Sequence, residues 1–163
     1  MIKLLFLDVD GCLSDGKITY THEGIELKSF NVRDGFAIKA LVKMGYTIAI
    51  ITGRDSEIVK LRAKELDIPY LFQGVKDKLA VAQQLCTKLG IASTEVAAIG
   101  DDLNDYRLLK WAGMAFVPQD GLEYLTSVAD VLERSGGDAC VREMIEKILK
   151  VNGDEERFME MWI

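Results

Sequence analysis

The chain has 163 residues, 49% of them apolar, a net charge of −6 and three widely spaced cysteines. One domain over residues 1–163 with its own core suits that length, whereas the acidic balance excludes a nucleic-acid binder built on basic stripes. The odd cysteine count argues against a disulfide framework or zinc cluster, no segment is long and apolar enough for a membrane, and no leader pattern opens the chain, so a reducing cytoplasmic setting is expected.

The first predicted strand, within 3–9, is pure aliphatic and aromatic and runs straight into Asp8, Asp10 and Asp15 in "LLFLDVDGCLSDG". Two carboxylates at a buried strand tip repel each other and resist desolvation unless positive charge lies between them. Asp-Gly turns would account for part of the pattern. Cys12, beside the acids, reads as a small buried filler. Residues 16–32 then alternate, with Ile18 and Tyr20 before a His22-Glu23-Gly24 turn and Ile25, Leu27, Phe30 and Val32 after it. This is a β-hairpin inserted after the first strand, apolar enough to need a cover. The only histidine is at its turn, so no His base is expected.

Helix is predicted over 34–45, with Phe36, Ile38, Leu41 and Val42 inward and Gly45 as its stop. Strand follows at 46–52, then a helix over 55–67 capped by Asp55 or Ser56, with Ile58, Leu61 and Leu66 as its stripe. A strand at 70–73, a helix over 77–90, a strand at 96–101, a helix over 102–113 and strands at 114–118 and 129–133 complete the series. Strand alternating with helix means an α/β fold, a parallel sheet covered by helices on both faces.

Ligands of such sheets bind beyond the carboxyl ends of the strands. There stand Asp8 and Asp10, Thr52-Gly53-Arg54 and Asp101-Asp102, with Lys78 opening the helix after the third strand. Singly, each has a plain structural reading as a turn, a helix cap or a solvated charge. Together they suit phosphoryl transfer to an aspartate: a carboxylate and a phosphate monoester repel, so a divalent cation must bridge them and a lysine must offset the remaining charge. Oxygen ligands without Cys or His select magnesium.

Asp8-Val9-Asp10-Gly11, Thr52-Gly53, Lys78 and Gly100-Asp101-Asp102-x-x-Asp105 resemble the four motifs of the haloacid dehalogenase (HAD) superfamily, over nearly the whole chain. "DVDG.LSDG", "FNVRDG", "IITGRDS", "GDDLND" and "GG...VRE" further resemble the family of 3-deoxy-D-manno-octulosonate 8-phosphate (KDO 8-phosphate) phosphatases of lipopolysaccharide sugar synthesis. The resemblance implies a Rossmann-like fold without a cap domain, a homotetramer and Mg2+ dependence. It implies Asp8 as nucleophile and Asp10 as general acid–base. Asp8, Asp101 and the Asp10 carbonyl would hold the metal, and Thr52, Gly53 and Lys78 the phosphoryl group. Sugar contacts would come from Asp10, Asn31, Val32, Arg33, Asp34, Gly35, Arg54 and Arg62. Lys39 stands where relatives carry arginine. Arg142 is in register with the glycine-rich loop at 134–144, where Ala139 replaces a glycine, and the tail bearing Phe158, Met161 and Trp162 is expected to pack or meet a partner.

Spacing agrees with the uncapped form, since only one helix and one strand fit between Thr52 and Lys78. The related phosphatases of nine-carbon, sialic-acid-type sugars prefer Glu at the position of Arg54, which favours the eight-carbon substrate. A signalling receiver would need its acceptor Asp at the end of a middle strand, where this chain has Thr52, and a non-catalytic assembly module has no need of the full acid set.

Overall fold

The computed structural model covers Met1–Ile163. Six strands form one parallel sheet: β1 (Leu4–Leu7), β4 (Thr47–Ile51), β5 (Tyr70–Phe72), β6 (Val96–Ile99), β7 (Met114–Val117) and β8 (Asp130–Val131), in the order β5-β4-β1-β6-β7-β8. β1 is central, with Leu4 opposite both Thr47 and Val96. The chain builds outward from β1 through β4 to β5, then returns to place β6 on its other side. The carboxyl ends of β1, β4 and β6 therefore meet where the winding reverses, the crevice such sheets offer to ligands.

Alternate residues of each central strand enter opposite cores. Leu5, Leu7, Ile48 and Ile50 face α1 (Val32–Lys43), α2 (Glu57–Glu65), α5 (Cys140–Asn152) and α6 (Glu155–Glu160). Leu4, Phe6, Ala49 and Ile51 face α3 (Lys78–Leu89) and α4 (Tyr106–Trp111). Burial on both sides explains why these strands read as continuous apolar runs.

The helices depart from the predicted pattern in four ways. α1 starts at Val32, capped by Asn31, whose side chain accepts from the Arg33 amide; Phe36 lies on its exposed side. α2 turns Val59, Ala63 and Leu66 inward, at i, i+4 and i+7, and leaves Leu61 in solvent. α5 and α6, unassigned in the sequence, cover one face of the sheet: Val141, Met144, Ile145, Ile148 and Leu149 form an apolar stripe, and Phe158 is buried beside it. Trp162 stacks on Phe36 with ring centroids 4.3 Å apart, so part of the tail packs on its own chain. The predicted helix over 102–113 is only α4, because Asp101–Asp105 are taken up by a turn.

Residues 16–32 contain a small antiparallel pair, β2 (Thr19–Tyr20) and β3 (Glu26–Leu27), linked through the His22–Gly24 turn. Ile18, Tyr20, Ile25 and Leu27 are exposed, while Phe30 packs against the core. No helix is long and apolar enough to cross a membrane.

Candidate active site

The backbone leaving β1 winds tightly through Val9–Leu13, where the Ser14 amide returns to the Val9 carbonyl at 3.0 Å. Gly11 adopts φ 91°, and a Cβ there would lie 2.0 Å from Asp101 Oδ2. No side chain fits both demands. Gly136 approaches equally closely from the far loop, where a Cβ would meet the Gly11 carbonyl oxygen at 2.0 Å. The loop at 134–139 thus buttresses the turn that carries Asp8 and Asp10.

Asp8 is buried at the tip of β1 and accepts from Lys78 Nζ at 2.6 Å. Lys78 is also buried and donates to Asp105 Oδ1. The second Asp105 oxygen accepts from the Asp101 and Asp102 amides at 3.2 and 3.4 Å, which shapes the loop after β6. Thr52 is fixed by backbone bonds to Phe72 and Val75, and its Oγ1 accepts from the Arg54 amide at 3.4 Å. Its hydroxyl hydrogen remains free to donate. Asp8, Asp10, Thr52, Gly53, Arg54 and Asp101 line a cavity of 280 Å³ with no hydrophobic residue in its wall.

Charge is unbalanced there. Burial pushes the Asp8 carboxyl up to about 8, against the pull of Lys78. Burial, followed by repulsion from Asp105 and Asp102, raises Asp101 to about 6. A buried and a half-buried carboxylate that resist ionisation, with oxygens within 4.8 Å of each other, fit a hard divalent cation between them. The Cys12 sulfur lies within the same distance, but burial raises its thiol well above the usual range, so carboxylate oxygen is the donor chemistry on offer.

The family model for haloacid dehalogenase-like hydrolases matches residues 31–113. The chain is 42% identical to the 3-deoxy-D-manno-octulosonate 8-phosphate phosphatase KdsC of Escherichia coli K12, over 93% of this chain and 81% of that protein. It is a haloacid dehalogenase-like hydrolase, of the KdsC family. The same KdsC-type fold is seen in the Moraxella catarrhalis phosphatase, solved with magnesium, phosphate and KDO, at TM-score 0.96 and 44% identity; it covers 99% of this chain and 94% of that one. The cobalt-bound Haemophilus influenzae phosphatase matches at TM-score 0.89 and 36% identity, over 94% of this chain and 90% of that one.

Within this KdsC-family chain, the residues expected to meet sugar divide into two groups. Asp10 and Arg54 lie at the Asp8 cavity, beside Gly53, the expected phosphoryl contact. Residues 31–35 and Arg62 do not line it; they join α1 to α2 and α5. Asn31 donates to the Gly137 carbonyl, and buried Asp34 accepts from the Arg142 amide at 2.7 Å. Gly35 makes room for Arg62, which bonds the Asn31 carbonyl and Glu65 and lies 5.4 Å over the Phe30 ring. Val32 is exposed, and Arg33 lines a separate 450 Å³ cavity with Arg134 and Arg142. Lys39 bonds the Glu65 carbonyl, away from the cavity.

The hairpin adds residues that the motifs did not flag. Arg54 donates to Tyr20 and to Glu26, each at 3.2 Å; Ser56 Oγ donates to Glu26 at 2.6 Å; and Lys28 donates to the Asp10 carboxylate. Alternation along 16–32 predicts the hairpin but not which polar side chains turn back to the sheet. An acid and a base two apart, Glu26 and Lys28, were the available signal, since both point to one face of an extended segment.

Proposed function

We propose that the chain is a Mg2+-dependent phosphatase of KDO 8-phosphate, acting in lipopolysaccharide sugar synthesis through an aspartyl-phosphate. The observation that carries this reading is the Asp8–Lys78–Asp105 arrangement beneath a wholly polar cavity, in a chain 42% identical to KdsC.

Asp8 attacks phosphorus, and the bond from phosphorus to the sugar oxygen breaks as Asp10 gives that oxygen a proton. Asp10 then takes a proton from water, whose oxygen attacks the phosphorus; the bond to Asp8 breaks and phosphate leaves. Lys78 offsets charge on the nucleophile and phosphoryl oxygens, while the Thr52 hydroxyl and Gly53 backbone hold those oxygens. Asp8, Asp101 and the Asp10 carbonyl would hold Mg2+, which when bound neutralises the approaching anions. Arg54, half exposed at the rim, is suited to the sugar carboxylate through its planar fork.

The reading includes a single domain, a cytoplasmic setting in keeping with three unpaired buried cysteines, and a homotetramer. Exposed Ile18, Tyr20, Ile25 and Leu27 support assembly, because no cap domain covers them.

A panel of sugar-acid phosphates, assayed for phosphate release with and without magnesium, tests the substrate. KDO 8-phosphate is expected to have the highest kcat/KM, and Asp8→Asn to abolish turnover in a folded protein. Preference for a nine-carbon 9-phosphate, or turnover by Asp8→Asn, overturns the respective part.

A further inference from the structure

One fully buried cation remains without a role. The side chain of Lys28 has no solvent exposure, and its Nζ contacts the Asp10 carboxylate and lies 3.4 Å from Glu26 Oε1. That contact is the only hydrogen bond to the Asp10 side chain; Arg54 Nε stands 4.0 Å from its other oxygen. Asp10 is partly exposed on a loop and would otherwise be free to rotate.

Glu26 holds this arrangement together. One carboxylate receives Ser56 at the start of α2, Arg54 at the tip of β4 and Lys28 from its own hairpin. Hydrogen bonding to Ser56, ahead of the Lys28 and Arg54 charges, keeps Glu26 below the usual carboxylate range, so it is ionised at neutral pH. Two cations and two anions alternate, which meets the cost of burying Lys28. A two-residue strand pair has little stability alone, so these contacts also seat the hairpin base over its own subunit's site.

We propose that Lys28 is a positioning residue for Asp10, held in place by Glu26, and that the hairpin thereby aims the acid–base carboxylate at the leaving oxygen. This rests on the reading of Asp10 as the acid–base. A displacement of about 1 Å at such a group costs on the order of a hundredfold in rate. The effect belongs in kcat on esters whose leaving oxygen needs a proton.

The test uses the full-length protein with Mg2+ and compares Lys28→Met, Lys28→Arg and Glu26→Gln. The substrates are p-nitrophenyl phosphate, whose leaving group departs without a proton, and the best alkyl phosphate of the panel. Lys28→Met should lower kcat on the alkyl ester roughly ten- to a hundredfold with little change in KM, and lower it much less on the aryl ester. Lys28→Arg should recover most of the loss, and Glu26→Gln should show a weaker version of it. Thermal unfolding establishes that each variant is folded, and Glu26→Gln keeps the comparison open if Lys28→Met is not. A crystal structure of the folded variant should show Asp10 in a changed rotamer. Unchanged kcat on the alkyl ester, a loss confined to KM, equal losses on both esters or an unmoved Asp10 overturns the proposal. An unaltered chain that ignores KDO 8-phosphate but hydrolyses another alkyl phosphate removes the substrate assignment alone, and the Lys28 comparison then runs on that ester.

Discussion

Lys78 Nζ lies 2.6 Å from Asp8 Oδ1 and also donates to Asp105, so a single buried lysine holds both the strand-tip acid and the residue that shapes the Asp101 loop. Burial opposes its charge, yet Asp8 and then Asp105 keep the ammonium well above the ordinary lysine range. Lys78→Met leaves two buried carboxylates facing each other. Urea unfolding without magnesium should show a loss of about 3–5 kcal/mol, and phosphatase activity should fall about 10²–10³-fold or more.

Magnesium should stabilise the fold as well as support turnover. Asp101 has no cationic partner and Asp8 has only Lys78, so a cation between them relieves their crowding, and the unfolded chain offers no such site. At a hundredfold excess over Kd the gain is about 2.7 kcal/mol, read as a rise in Tm that chelator reverses. Calcium, with longer and looser coordination, should raise Tm but support little turnover.

Asp34 predicts an acid-side effect on stability. Burial lifts its carboxyl to about 6, against the Arg142 amide and Arg62, and its Oδ2 has no hydrogen-bond partner. The folded value exceeds the ordinary one, so the folded state binds the proton more tightly. Stability from this group is full below about pH 4 and is lost as pH rises through about 6, by on the order of 1–3 kcal/mol. Asp34→Asn should flatten that part of the stability–pH curve and leave the protein at pH 7 no less stable, measured by urea unfolding at a series of pH values.

Ala139 is the N-cap of α5 and adopts φ 65°, a conformation that favours glycine. Ala139→Gly removes the Cβ strain, worth about 1–2 kcal/mol, and adds unfolded-state entropy of about 0.4–1 kcal/mol. A net rise in stability of about 0.5–1 kcal/mol is expected in thermal unfolding.

Charging the hairpin tests assembly. Ile18→Glu with Leu27→Lys alters two exposed apolar side chains while leaving Glu26 and Lys28 in place. Sedimentation should show the proposed tetramer dissociating, with use of the sugar phosphate falling more than that of a small generic phosphate ester. An unaltered protein that sediments as a fully active monomer removes the tetramer from the functional reading.

Local chemistry alone determines much of this site. Uninterrupted apolar runs ending in Asp8, Thr52 and Asp101 marked strands buried on both faces, and a parallel sheet must bring such ends to one edge. The polar set at that edge was therefore legible from residue type and order alone. Tertiary packing decided what spacing could not. The predicted apolar stripe included Leu61, but α2 presents Val59 and Ala63, because its face depends on how it crosses the sheet. Asp34 and Gly35 pack against α5 and Arg62, partners 108 and 27 positions away that spacing does not reveal. The Lys28–Asp10 and Glu26–Ser56 contacts likewise join residues 18 and 30 positions apart. A strand's pattern says which side chains share a face; which distant group that face meets depends on the order of the sheet and the docking of the elements around it.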